Sequence, residues 1–114
     1  MSSLDRRHVT VAEAQAALDA SSLPFVPLLR HGTLLVEAYA PEEVDLQTPH
    51  EQDELYVVVR GEGWFVNGDQ RHRFGPGDVL FVPAGVVHRF EEFTEDFLVW
   101  VVFYGPPGGE AAGP

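Results

Sequence analysis

Three segments of this chain, LYVVV at 55–59, VLFV at 79–82 and FLVWVVFY at 97–104, are apolar at consecutive positions. They are short and rich in β-branched and aromatic residues, which suits strands better than helices. A strand with one wet face alternates apolar and polar, so consecutive apolar positions require both faces to be covered. Many such strands at close spacing, separated by Gly and Pro, favour an antiparallel sandwich or barrel over a parallel sheet with crossover helices.

The segment pattern predicts strands near 26–30, 33–40, 54–60, 63–66, 70–74, 79–83, 87–92 and 97–104. His31-Gly32 separates two apolar stretches, and Asn67-Gly68 is a strong hairpin signal, read here as a type I′ turn. Upstream, Thr10-Val11-Ala12-Glu13 has the form of a capping box and leads into helix-forming AEAQAALDA, which Ser21, Ser22 and Pro24 end. The expected organisation is an N-terminal arm and short helix over 1–25, one β-barrel over 26–105 and a loosely ordered tail over 106–114. A single short helix is too small to shield the outer surface of three doubly apolar strands, so a homodimer packed sheet to sheet is expected.

A chain of 114 residues suits a single domain. Its net charge of -11, with scattered Arg and no Lys, argues against nucleic acid and anionic membrane surfaces as partners. The amino terminus lacks a signal-peptide apolar core and no run is long enough for a membrane helix, which points to a cytoplasmic protein. With no Cys, disulfides, thiolate metal sites and thiol nucleophiles are excluded, and any metal must be held by nitrogen and oxygen.

Two stretches carry the chemistry: PHEQDELYVVVRG at 49–61 and GDVLFVPAGVVHRFEE at 77–92. Strand period places His50, Gln52 and Glu54 on one face, and His88 with Phe90 and Glu92 on another. On a straight strand His50 and Glu54 stand about 13 Å apart, so one shared ion requires a bend between them. In the second stretch Pro83 and Gly85 force a turn that presents His88 at the start of a strand. Two neutral imidazoles and one carboxylate form a facial set for a divalent ion with open coordination positions, typical of iron and open to Mn, Zn, Ni or Co.

These stretches resemble the paired motifs of the cupin superfamily, G-x5-H-x-H-x3,4-E-x6-G and G-x5-P-x-G-x2-H-x3-N. Gly77, Pro83, Gly85 and His88 fall at the spacing of the second, with Glu92 in its final Asn slot. In the first, Glu54 and Gly61 match, His50 takes the second His position, and Thr48 stands where the first His belongs. The resemblance spans about residues 33 to 104, is closest to small single-domain cupins and implies a jelly-roll barrel with His50, Glu54 and His88 as metal ligands. Gln47, Gln52, Tyr56 and Glu92 are candidates for a further ligand or a substrate contact. His8, His31 and His72 read as surface residues, and Tyr56, Trp64, Phe81, Phe90, Trp100 and Tyr104 read most simply as core.

The expected function is a metal-dependent enzyme, oxygenase or isomerase/lyase-like, acting on a small metabolite. The alternative is a non-catalytic module that binds or senses a small ligand with weak metal or none, favoured by the missing first His. A structural or accessory subunit is a third class. Cupin barrels host many chemistries, so the resemblance does not select a reaction.

Overall fold

The computed structural model describes residues 4–45 and 48–111. One helix, α1 (Val11–Asp19), precedes eight strands: β1 (Phe25–His31), β2 (Leu34–Tyr39), β3 (Asp53–Arg60), β4 (Gly63–Asn67), β5 (Gln70–Phe74), β6 (Val79–Val82), β7 (His88–Glu91) and β8 (Leu98–Tyr104). The capping box forms as its sequence requires: Thr10 Oγ1 accepts from the Glu13 amide at 3.0 Å, and the Glu13 carboxylate accepts from the Thr10 amide at 3.3 Å. Ala14 and Leu18, one turn apart, bury that face of α1 against Leu28, Ala38 and Leu98.

The strands form two antiparallel sheets, of order β1-β2-β8-β3-β6 and β5-β4-β7. Period two decides what faces inward. Tyr56 and Val58 of β3, Leu80 and Val82 of β6, and Val99 and Val101 of β8 meet Phe65, Phe74 and Phe90 of the smaller sheet. The ladders do not run continuously from one sheet to the other, so the expected closed barrel is a two-sheet jelly roll. Its inner face is still hidden. The two sheets are stitched at one edge where the Asn67 side-chain amide donates to the Phe81 carbonyl at 2.8 Å.

That use of Asn67 corrects the turn reading. Asn67 pairs with Gln70 as the last rung of the hairpin, so Gly68 and Asp69 are its central residues. Only Gly68 has a positive φ, 63°, which fits a type II′ turn and not the type I′ expected. At the β3–β4 corner Gly61 has φ 94°, and a Cβ there would sit 2.7 Å from Phe97 Cα. No other residue fits without moving the backbone.

On the outer surface α1 packs over β1 and β2, with Trp100 of β8 against the same cluster. Among the described residues nothing covers the β3–β6 end of the sheet, where Val79 and Phe81 are 63% and 46% exposed. Phe81 is therefore not core, contrary to the reading of its sequence context. Trp64 is half-buried on the outward face of β4, with Arg71 4.3 Å and Arg73 5.4 Å from its ring. His72, expected at the surface, is half-buried with its ring against Phe65. Beyond Tyr104 the chain turns back, and the amides of Gly108 and Glu110 donate to the Glu51 carbonyl and the Asp53 carboxylate. The start of the tail is thus tied to the entry of β3.

Candidate metal centre

His50 precedes β3 and is not part of it, which resolves the distance problem posed by a straight strand. Bends at Glu51 and Gln52 separate it from Asp53, where β3 begins. His50 Nε2 thereby comes within 3.9 Å of Glu54 Oε1. Glu54 is the first inward-facing residue of β3, paired between Val82 of β6 and Phe103 of β8, and its side chain is 1% exposed.

His88 opens β7 after the Pro83-to-Gly85 turn, where Gly85 has φ 80°. Its Nδ1 lies 2.9 Å from the Val86 carbonyl, which can only accept, so the proton sits on Nδ1 in the neutral ring. Nε2 is left with its lone pair directed inward, 3.1 Å from Glu54 Oε1. That approach lacks hydrogen-bond geometry: both Glu54 oxygens and His88 Nε2 are buried side-chain atoms with no hydrogen-bond partner among the described residues. Such orphaned groups are costly in a protein interior unless a cation or donor meets them.

The ligand atoms of His50, Glu54 and His88 all lie within 4.8 Å of one another. An ion at about 2.0–2.2 Å from each of two donors spans at most about 4.4 Å, which accommodates the 3.9 Å and 3.1 Å approaches of His50 and His88 to Glu54 Oε1. The set has the right chemistry, neutral imidazole nitrogen and carboxylate oxygen, and the orphaned atoms point to where an ion would be satisfied. Burial pulls the His88 imidazolium down, but the Glu54 carboxylate, the Val86 carbonyl and the charge of Asp45 hold its pKa above the ordinary value.

Among the described residues, the remaining sequence candidates do not join this cluster. The Gln52 amide donates to the carbonyls of Thr33 (3.2 Å) and Gly105 (2.9 Å), where it straps the β1–β2 turn to the end of β8. Gln52 also borders a hollow of about 420 Å3 that His50 shares. Tyr56 is fully buried, with ring centroids 4.9 Å from Phe90 and 6.0 Å from His88, so it packs behind the imidazole. Glu92 is 73% exposed and 3.6 Å from an Arg71 nitrogen, outside the cluster. Gln47 lies outside the described residues, and Thr48, in the place of the missing His, is exposed on the wall of the cavity beside His50.

That cavity, about 870 Å3, is bounded by α1, β2 and the segment leading to His50, with Val101 and Phe103 at its inner side. Sequence reasoning missed two residues that line it, Glu37 and Tyr39, together with Asp45 and Asp53. Glu37 lines it from β2, half-buried, and burial, together with the charge of Glu54, holds its carboxyl above the usual range. Tyr39, next on the same face, donates to buried Asp45 at 2.5 Å, and Asp45 also accepts from the Phe90 amide at 2.8 Å. Alternation in LLVEAY placed Glu37 and Tyr39 on one face with Leu35, and that was the available signal. Asp53, on the opposite face from Glu54, accepts from the Ala84 amide at 3.0 Å and so steadies the loop that carries His88.

A two-sheet jelly roll that gathers two histidines and a glutamate between its sheets defines a cupin-type barrel. The cupin-domain family model matches residues 35–104, more than half of the chain, and the chain belongs to the cupin family. An uncharacterised protein of Streptomyces coelicolor is 38% identical over 96 residues, spanning 82% of this chain and 91% of that protein. Dimethylsulfoniopropionate lyase DddQ of Ruegeria pomeroyi is 33% identical over 57 residues (49% of this chain, 28% of the lyase). Acireductone dioxygenase of Candida albicans is 39% identical over 46 residues (36% of this chain, 26% of the dioxygenase). The chain thus spans little more than a quarter of either enzyme. Among solved structures, a conserved Streptococcus pyogenes protein of unknown function superposes with TM-score 0.64 at 16% identity, over 93% of this chain and 96% of its own. At that identity the likeness concerns the fold.

Proposed function

We propose that this cupin is a metal-dependent enzyme that holds one divalent ion with His50, Glu54 and His88 and acts on a small metabolite admitted through the cavity beside His50. The observation that carries the reading is the set of three buried, unpartnered ligand atoms on Glu54 and His88. When bound, the ion would supply Lewis-acid polarisation of a substrate oxygen or a site for oxygen activation. The distant likeness to a dioxygenase and a lyase supports oxygenase or lyase-type chemistry. Val86 fixes the His88 tautomer, Phe103 and Tyr56 pack against the imidazoles, and His50 is the ligand that borders the cavity. Metal analysis by mass spectrometry on untagged protein tests this. Stoichiometric metal in the wild type and its loss in His50→Ala and His88→Ala are expected; unchanged metal in both variants would overturn the assignment.

Exposed Thr48 in place of a third histidine favours a second reading, a small-ligand-binding module with weak metal or none. A thermal midpoint unmoved by metals and chelators but raised by a small molecule would select it.

We further propose that two copies pair through the uncovered β3–β6 face. Leu55 and Val57 stand opposite Phe81 and Val79 in the ladder, which makes a patch free of charged side chains at an edge strand. A second copy brings the same uncharged patch, and pairing there buries it while the -11 surface charge stays in solvent.

A further inference from the structure

The cavity beside His50 has a wall chemistry that the metal ligands do not account for. Among the described residues that line it, the acidic side chains are Asp19, Glu37 and Glu42, and there is no Arg. Phe25, Tyr39 and Phe103 add aromatic surface, and Leu23, Phe25 and Val44 leave its rim apolar, at 54%, 38% and 62% exposure. Away from the His50 end, an anionic group beside Asp19, Glu37 or Glu42 would meet repulsion. A cation would be attracted both by the carboxylates and by the ring faces, and an apolar rim suits alkyl groups around it.

Glu37 is the carboxylate best placed to make the selection. It stands on the inward face of β2 opposite Val101, half-buried, and among the described residues no hydrogen bond engages its carboxylate, with Arg30 the one positive charge that acts on it. The cavity ends at His50, 3.9 Å from the unpartnered carboxylate of Glu54. A ligand with an oxygen at one end and a positive group at the other matches both ends of this space. We propose that the chamber binds a small organic cation of the ammonium or sulfonium class, and that Glu37 is the residue that selects it. The inference rests on reading the chamber as the ligand site of the proposed metal centre. A cation beside Glu37 would also relieve the burial and the repulsion from Glu54 that disfavour its charge.

The test uses choline and 3,3-dimethylbutan-1-ol, which have the same shape and hydroxyl group and differ in the positive charge. Both are titrated calorimetrically into wild-type protein, Glu37→Gln and Glu37→Asp, each as purified and after chelation, with metal content measured in parallel. Wild type is expected to bind choline about tenfold or more tightly than the neutral isostere. Glu37→Gln is expected to bring that ratio close to one, and Glu37→Asp to keep part of it. Equal binding of the two probes by wild type, an unchanged ratio in Glu37→Gln, or no binding of either probe would each overturn the inference. Absence of metal alongside a Glu37-dependent preference would remove the metal-enzyme reading and leave the cation site standing.

Discussion

The carbonyl oxygen of His50 accepts a hydrogen bond from the amide of Gly85 at 2.8 Å, so the glycine of the second motif anchors the histidine of the first. Gly85 has φ 80° with open space where a Cβ would go, so Gly85→Ala meets no clash and suffers backbone strain alone, about 1–2 kcal/mol. Gly61→Ala adds to the same strain a contact 2.7 Å from Phe97 Cα and 2.9 Å from Thr94 Oγ1, and is expected to cost about 3 kcal/mol or more. Urea denaturation measures both. Equal costs would mean that the crowding at Gly61 relaxes freely.

Metal should stabilise the folded chain, because the orphaned atoms of Glu54 and His88 exist as a converged set only when it is folded. At a hundredfold excess over the dissociation constant the gain is about 2.7 kcal/mol. A rise in thermal midpoint on adding Mn, Fe or Zn ions to chelated protein, absent in Glu54→Gln, is the expected outcome. An equal rise in Glu54→Gln would place the ion elsewhere.

The strands were legible because doubly buried runs and Gly-containing hairpins leave strong local signals. The predicted strands differ from those observed by at most one residue at each end. Glu54 and His88 were singled out through the resemblance to the cupin motifs, in which each stands at a fixed offset from a backbone device, Gly61 for one and the Pro83–Gly85 turn for the other, and the fold brings the two together. The outward position of Phe81 was not legible, because alternation along VLFV assigns two faces without saying which one a neighbour covers. Glu37 and Asp45 were missed because acidic residues in strands and loops are ordinarily solvated. Only the approach of β2 to the β7 sheet makes Asp45 a buried acceptor.

Tyr39 and Asp45 form a buried pair that links β2 to β7 through the Phe90 amide. Burial, with the adjacent Asp45 carboxylate, pushes the Tyr39 phenol far above its ordinary value, so it acts as a donor throughout the accessible pH range. Tyr39→Phe removes one donor from a buried carboxylate and should cost about 1–3 kcal/mol. Chemical denaturation with metal analysis on the same samples checks this. A variant as stable as the wild type would show that the pair contributes nothing net.

Pairing through the β3–β6 face makes oligomeric state the readout. Phe81→Glu places a charge in the centre of the patch, opposite Leu55, where a second copy would bring the same charge. Wild type is expected to sediment as a dimer at low micromolar concentration and Phe81→Glu as a folded monomer. A wild-type monomer there would leave the exposed Val79 and Phe81 without the proposed occupant.

Glu37 sets a stability trend of defined sign. Its folded-state carboxyl is raised above the ordinary value of 4.5, first by burial and then by the charge of Glu54, with Arg30 opposing. The unfolded chain therefore releases the Glu37 proton at lower pH than the folded chain does. Folding is least penalised below the unfolded value, and stability is lost as pH rises from about 4.5 through the folded value, after which the penalty is constant. Glu37→Gln removes that titration. In metal-free protein the variant should melt higher than wild type at neutral pH, and the advantage should shrink below about pH 4.5, where the wild-type carboxyl is neutral as well. Thermal midpoints of both proteins from pH 4 to 8 give the comparison. A wild type that is the more stable of the two at neutral pH would mean that the Glu37 charge is welcome in the cavity without a ligand.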